Sequence, residues 1–207
     1  MNIEVWLAFV AASVVLLIIP GPTILTVISY SISHDYKAKI PLILGVTLGD
    51  STALAFSLLG LGVLLAESAF WFQVVKWLGG LYLIYLGVKL FMAGVNPPHL
   101  TKPDARVSSR NLFVNTYVVT ALNPKGIIFF VAFLPQFINS TTNPGTQIWI
   151  LSSTFVALAT LNATLFSVFS GKARQILSST KAQKRFNIGG GSILTAAGIW
   201  ALSAKQA

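Results

Sequence analysis

Apolar positions in this chain do not alternate with polar ones at the period of a strand or a surface helix. They continue for about twenty residues at a time and stop at short polar connections. A helix rising about 1.5 Å per residue needs about 20 apolar residues to cross a hydrocarbon core of about 30 Å. Six stretches reach that length, at residues 5–29, 40–66, 69–93, 112–135, 147–171 and 187–204. The pattern predicts an all-α integral membrane protein of six transmembrane helices. Residues 1–207 form a single transmembrane domain, since no hydrophilic segment is long enough to make a second. Lys76 and Lys89 sit near the ends of the third run, where a lysine stem can snorkel to the interface. Glu4 is the only charged side chain ahead of the first run, which continues past Ile28; this reads as a retained span, not a cleaved signal.

Two of the runs are interrupted, the first by "PGP" (Pro20 to Pro22) and the fourth by "NPKG" (Asn123 to Gly126). Each proline removes a backbone donor, and its ring clashes with the carbonyl one turn back. The interruptions are one of three pairs that recur in order in the two halves. "GGLYLIYLG" (Gly79 to Gly87) in the third run matches "GGSILTAAG" (Gly190 to Gly198) in the sixth, and Asp50 in the second stands where Asn162 stands in the fifth. The offsets run from about 102 to about 112 residues. Three crossings invert the second half relative to the first, so the order predicts a 3+3 inverted repeat with spans 1 and 4 broken.

Composition agrees with the pattern. Hydrophobic residues make up 55% of the chain and charged residues 9%, against about 25% in soluble domains. The absence of cysteine excludes disulfides, thiolate metal sites and thiol nucleophiles. The two histidines, His34 and His99, fall in polar loops and do not suggest a metal site; no cofactor is implied. A net charge of +9 raises the question of nucleic acid, but the cations concentrate in short loops, which is the distribution of membrane topology. Lys37 and Lys39 lie between spans 1 and 2. Lys89, Lys102, Arg106 and Arg110 follow span 3, and Lys172, Arg174, Lys181, Lys184 and Arg185 lie between spans 5 and 6. The opposite side has Lys76 and Lys205. The positive-inside rule then puts these three loops in the cytoplasm and both termini outside. Trp6, Trp71, Trp77, Trp149 and Trp200 fall toward the outer ends of their spans, as interfacial tryptophans do. Counted from the cytoplasmic ends, Pro22 lies about 10 Å deep, Asp50 about 15 Å and Pro124 about 18 Å. Broken backbone at that depth is tolerated only where it faces protein or a water-filled cavity.

"PGP", "GVTLGD" (Gly45 to Asp50), "YLIYLG" (Tyr82 to Gly87) and "NPKGIIFFVAFLPQF" (Asn123 to Phe137), in this order over essentially the whole chain, resemble the LysE/RhtB family. That resemblance implies amino-acid export across a bacterial cytoplasmic membrane, by a carrier coupled to the proton gradient. The chain departs from the family at "SHDYKAKI" (Ser33 to Ile40), where Asp35 and Lys39 stand in a loop that often carries glycines.

Asp50 is the one acidic residue deep in a span, where a charge costs about 2.5–3.5 kcal/mol on insertion scales. Such a carboxylate is a candidate to bind a substrate ammonium, to carry a coupling proton, or to alternate between the two. Exclusion of water favours its neutral form and a bound ammonium its ionised form, so one group can exchange a proton for a cation. A structural pair with Lys125 is the plainer alternative. Lys125 is a candidate for a substrate carboxylate, helped by backbone N–H groups freed near Pro22 and Pro124. Pro20, Gly21, Pro22 and Pro124 are candidates through the broken backbone, and Asn123, Thr23, Asn115 and Asn162 through polar lining. Taken singly, each of these four polar residues is better read as joining helices by hydrogen bonds. Gly45 and Gly49 suit close helix packing. The basic run Lys172 to Phe186 reads as a solvated orientation signal, with the anionic inner leaflet as its alternative partner.

The implied partners are a small zwitterionic amino acid, protons and membrane lipids, with a second copy of the chain admissible and nucleic acid not expected. An embedded enzyme would need a nucleophile–base pair or a metal cluster, and the spans supply neither. A channel or helical scaffold without a transport cycle is the alternative that composition leaves open.

Overall fold

The structure, a computed structural model, describes residues 1–34, 38–67, 69–93, 107–139 and 142–203. Asp35, Lys37, His99, Lys102, Arg106 and Lys205, used in the loop reading, lie outside them, as do the side chains of Trp71 and Lys76. All regular structure among the described residues is helical.

The prolines that interrupt the apolar runs begin new helices. Helix α1 (Ile3–Ile18) ends at Ile19, and α2 (Pro22–Ser33) starts with Pro22 at its first position. There the missing N–H has no partner to lose and the ring presets φ. The two axes meet at 55°. The second interruption repeats the device. Helix α5 (Ser109–Ala121) gives way at Leu122, and α6 (Pro124–Ile128) begins with Pro124, capped by Asn123, whose side chain accepts from the Lys125 amide at 3.1 Å. The segment Ser109–Ala121 is bent by 40° from Pro124–Phe137. Beyond α6 the chain winds as a π turn (Phe129–Phe133) and a 3₁₀ turn (Leu134–Phe137). Pro135 cannot donate to the carbonyl of residue 131, and the wide turn makes room for its ring.

The remaining helices are α3 (Lys39–Glu67), α4 (Ala69–Met92), α7 (Pro144–Val168), α8 (Ser170–Ser178) and α9 (Thr180–Ser203). Lys39–Gly60 and Pro144–Val168 are long and apolar enough to cross a membrane as single helices; the bent pairs α1–α2 and Ser109–Phe137 qualify as units, and Trp77–Met92 is a shorter apolar helix. The chain is a helical membrane protein. One expectation fails: residues 172–186 are not a loop but form α8 and the start of α9, so the last helix begins seven residues before 187. Alanine, lysine, arginine and glutamine are strong helix formers, and no glycine or proline interrupts the chain between Gly171 and Gly189.

Helix α3 lies along α5 and α7, and α4 lies along α9. Glycines permit both approaches. A Cβ on Gly45 would stand 2.9 Å from the Phe113 carbonyl oxygen, and one on Gly49 would stand 2.7 Å from Thr120 Cβ. These two glycines pack helices, as their spacing suggested. Between α4 and α9 the matched glycines meet reciprocally. A Cβ on Gly191 would lie 2.8 Å from the Gly87 oxygen, and one on Gly198 would lie 2.7 Å from the Gly80 oxygen. Aligning the two halves at "GGLYLIYLG" and "GGSILTAAG" exchanges Gly80 with Gly191 and Gly87 with Gly198, so each contact maps onto the other. A local two-fold relation between antiparallel α4 and α9 has that signature.

A leucine at Gly87 or Gly191 has backbone in its way, and overpacking costs about 1–3 kcal/mol. Gly87→Leu and Gly191→Leu are each expected to lower the midpoint of thermal unfolding in detergent. Gly189→Ala, at a position where a Cβ meets nothing within 4 Å, should leave it unchanged or higher. Fluorescence-detected size exclusion after heating measures all three.

Candidate functional site

The two interruptions face each other, and backbone chemistry explains how. In an unbroken helix the amide of residue 20 would bond the carbonyl of residue 16, but Pro20 has no N–H to give. The Leu16 and Ile19 carbonyl oxygens instead accept from Lys125 Nζ, at 2.8 Å each. Leu17 O accepts from Asn162 Nδ2 on α7 at 3.1 Å. A lysine ammonium at the negative end of α1 satisfies the orphan carbonyls and the helix dipole together. Gly21 packs against the lysine: a Cβ there would stand 3.4 Å from Nζ. Asn123 completes the contact, donating from Nδ2 to Thr23 Oγ1 at 3.1 Å, with both residues buried.

Between these groups lies a cavity lined by Leu16, Leu17, Thr23, Ile24, Val46, Asp50, Asn123, Lys125, Gly126, Phe155, Ala159 and Asn162. The cavity's volume is about 30 Å³, enough for about two waters. Asp50, on α3, is 8% exposed. Among the described residues no hydrogen bond or ion pair engages its carboxylate. Gly126 brings backbone close to it, since a Cβ there would be 3.9 Å from Oδ1. The direct Asp50–Lys125 pair is therefore absent: both line one cavity, but the lysine's bonds go to α1. At the start of α2 the Thr23 and Ile24 amides belong to the first turn, which has no intrahelical acceptor for them, and Gly21 offers no side-chain cap.

The structure thus brings Asp50, Lys125, Thr23, Asn123 and Asn162 to one cavity, with Gly21 packed on the lysine. It does not bring the prolines. Pro22 and Pro124 are exposed and Pro20 is partly exposed, and none lines the cavity. Their part is to end one helix and start another, which frees the groups that do line it. Asn115 is also elsewhere, donating to the Tyr30 hydroxyl at 3.1 Å to join α5 to α2. The carbonyls of Leu16 and Ile19, and the apolar wall of Val46, Phe155 and Ala159, were not read from sequence. Helical spacing carried a signal for the wall: Val46 precedes Asp50 by one turn, and Phe155 and Ala159 share a face with Asn162.

Toward the first residues of α1 the cavity ends on packed phenylalanines. Phe155 meets Phe130 edge-on at 4.7 Å between centroids and Phe129 at 5.4 Å, and Phe9, Phe133 and Phe137 continue the cluster. All six are buried. Ser13, Ser57 and Ser152, buried on α1, α3 and α7, have hydroxyls without partners among the described residues on the same side of the cavity.

A family model described as "LysE type translocator" matches residues 14–205. Among similar proteins, a homoserine/homoserine lactone efflux protein of Salmonella typhimurium is 29% identical, with the whole of both chains covered. A leucine efflux protein of Enterobacter sp. is 30% identical over 79% of this chain and 77% of its own. An uncharacterized membrane protein of Bacillus subtilis, YrhP, is 32% identical over 93% of this chain and 96% of its own. No solved structure matches.

Lys125→Met would leave two carbonyls at the broken end of α1 without their charged donor. Losing such bonds costs about 2–4 kcal/mol together, so a lower unfolding midpoint is expected, and Lys125→Arg should recover part of it. Thermal unfolding of the three proteins in one detergent measures this; an unchanged midpoint for Lys125→Met would contradict the capping role.

Proposed function

The chain belongs to the LysE type translocator family, and on that premise we propose that it exports a small amino acid, or a close derivative, from the cytoplasm of a bacterium across its cytoplasmic membrane in exchange for protons. The relatives named for homoserine, homoserine lactone and leucine efflux support that substrate class. The reading takes α1–α2, α3, α4, α5 through Phe137, α7 and α9 as six spans in a 3+3 inverted repeat, with both termini outside. The reciprocal glycine contacts and the paired proline-started helices support it.

One observation carries the proposal: Asp50 presents a carboxylate without a hydrogen bond among the described residues to a cavity that Lys125, Thr23 and Ile24 also line. A zwitterion fits that polarity. Its ammonium replaces a proton at Asp50, and its carboxylate takes the amides of Thr23 and Ile24 with Lys125 beside them. Competition between proton and ammonium for one carboxylate is an antiport mechanism in outline. Asn162 and Asn123, which hold the two breaks to α7 and α2, keep the arms in register.

An amino acid is larger than the space present, so binding requires the two broken helices to separate. The phenylalanine cluster then acts as the outer seal of a carrier closed on that side, and a continuous channel is the less suited reading. A buried hydroxyl without a partner costs about 1–3 kcal/mol. Ser13, Ser57 and Ser152 recover that cost if the opposite conformation wets their side of the cavity. Energetics favour coupling: one proton entering against a net-neutral substrate supplies about 2.3 kcal/mol per 100 mV, enough for about a fifty-fold gradient at about 1.36 kcal/mol per decade.

Asp50→Asn is expected to insert normally and to lose proton-driven efflux of radiolabelled leucine and homoserine from proteoliposomes under an imposed pH gradient. Wild-type efflux by the variant would remove Asp50 from the mechanism. Saturable, proton-dependent counterflow by the wild type separates a carrier from a channel or scaffold.

A further inference from the structure

No acidic side chain follows Asp104 in the sequence, whereas Arg106, Arg110, Lys125, Lys172, Arg174, Lys181, Lys184, Arg185 and Lys205 do follow it. Five of these cations gather on α8 and the first turns of α9, all exposed, and none has an ion-pair partner among the described residues. They make this segment a positively charged surface. The same segment exposes apolar side chains: Phe169 and Ile176, on one face of α8, are 52% and 57% exposed beside Lys172 and Arg174. Apolar groups flanked by lysine and arginine, at the end of a membrane helix, match the boundary between acyl chains and anionic headgroups.

Helix α8 is also seated on the transport machinery. Ala173 is buried against Ile24 and Ile28 of α2, and Ser31 of α2 shares a hydrogen bond of 2.9 Å with Ser167 just before α8. Ile24 lines the cavity. A displacement of α8 therefore reaches the cavity wall through one side chain.

We propose that α8 and the first turns of α9 are a docking surface for anionic phospholipid headgroups of the cytoplasmic leaflet, and that seating there fixes the position of α2. The lipid acts as an activating partner of the transporter. The inference rests on the export reading for its functional half only; the docking itself stands on charge, exposure and packing.

The chain has no cysteine, so Ile176→Cys carries a single bimane label. In vesicles of phosphatidylcholine alone and with phosphatidylglycerol admixed, quenching by nitroxide borne on lipid chains reports whether α8 is embedded. Quenching should rise several-fold with the anionic lipid and fall back in high salt. The rise should vanish when Lys172, Arg174, Lys181, Lys184 and Arg185 are replaced by glutamine. Quenching indifferent to lipid charge overturns the docking. Leucine and homoserine counterflow in the same vesicles should be several-fold faster with phosphatidylglycerol for the wild type and not for the glutamine variant. Embedding without any change in counterflow rate overturns the link to α2. Absence of counterflow in every lipid overturns the export reading, while the label still decides the docking.

Discussion

The arrangement depends on how the broken end of α1 is satisfied. Interrupting a helix inside a membrane leaves carbonyls that water cannot reach, and each needs a donor from the protein. Here one ammonium, that of Lys125, takes two of them, and the amide of Asn162 takes a third. Because Lys125 itself begins the other interrupted segment, satisfying the first break requires the second to lie against it. The cavity is what remains between two segments held together by that requirement.

This has a consequence for charge. An intramembrane aspartate and lysine are expected to neutralise each other directly, and a direct pair would be inert. The lysine's protons are instead directed to backbone, which leaves Asp50 facing the cavity with no hydrogen bond or contact ion pair among the described residues. A carboxylate in that position is costly to keep and is useful only if something mobile, a proton or an ammonium, takes up the charge. Holding the breaks and facing the cavity thus fall to different residues: Lys125 and Asn162 hold the breaks, and the Asp50 carboxylate is left to the cavity.

Much of the outline was legible in the sequence, because apolar runs and prolines act locally. The spans around Pro144–Val168 and Lys39–Gly60, the breaks at Pro22 and Pro124, and the grouping of Asp50 with Lys125, Thr23, Asn123 and Asn162 follow from length, donor loss and depth. What was not legible concerns direction and partner. That Pro22 and Pro124 turn outward while the groups they free turn inward is set by the 55° and 40° bends, which no pattern encodes. The carbonyls of Leu16 and Ile19 could have been suspected from Pro20, but their donor lies more than a hundred residues away in sequence. The helical form of residues 172–186 was missed because positive charge was read as a sign of solvation, although the same residues favour helix and Ala173 supplies a buried contact.

Cross-linking reports whether the two interruptions face each other across the cavity and whether transport depends on it. In the cysteine-free chain, Thr23→Cys with Asn123→Cys replaces a hydrogen-bonded pair at 3.1 Å. Mild oxidation in native membranes is expected to form an intramolecular disulfide between them and to arrest export, with reduction restoring it. A pair that stays reduced, or that cross-links without effect on efflux, would contradict that expectation.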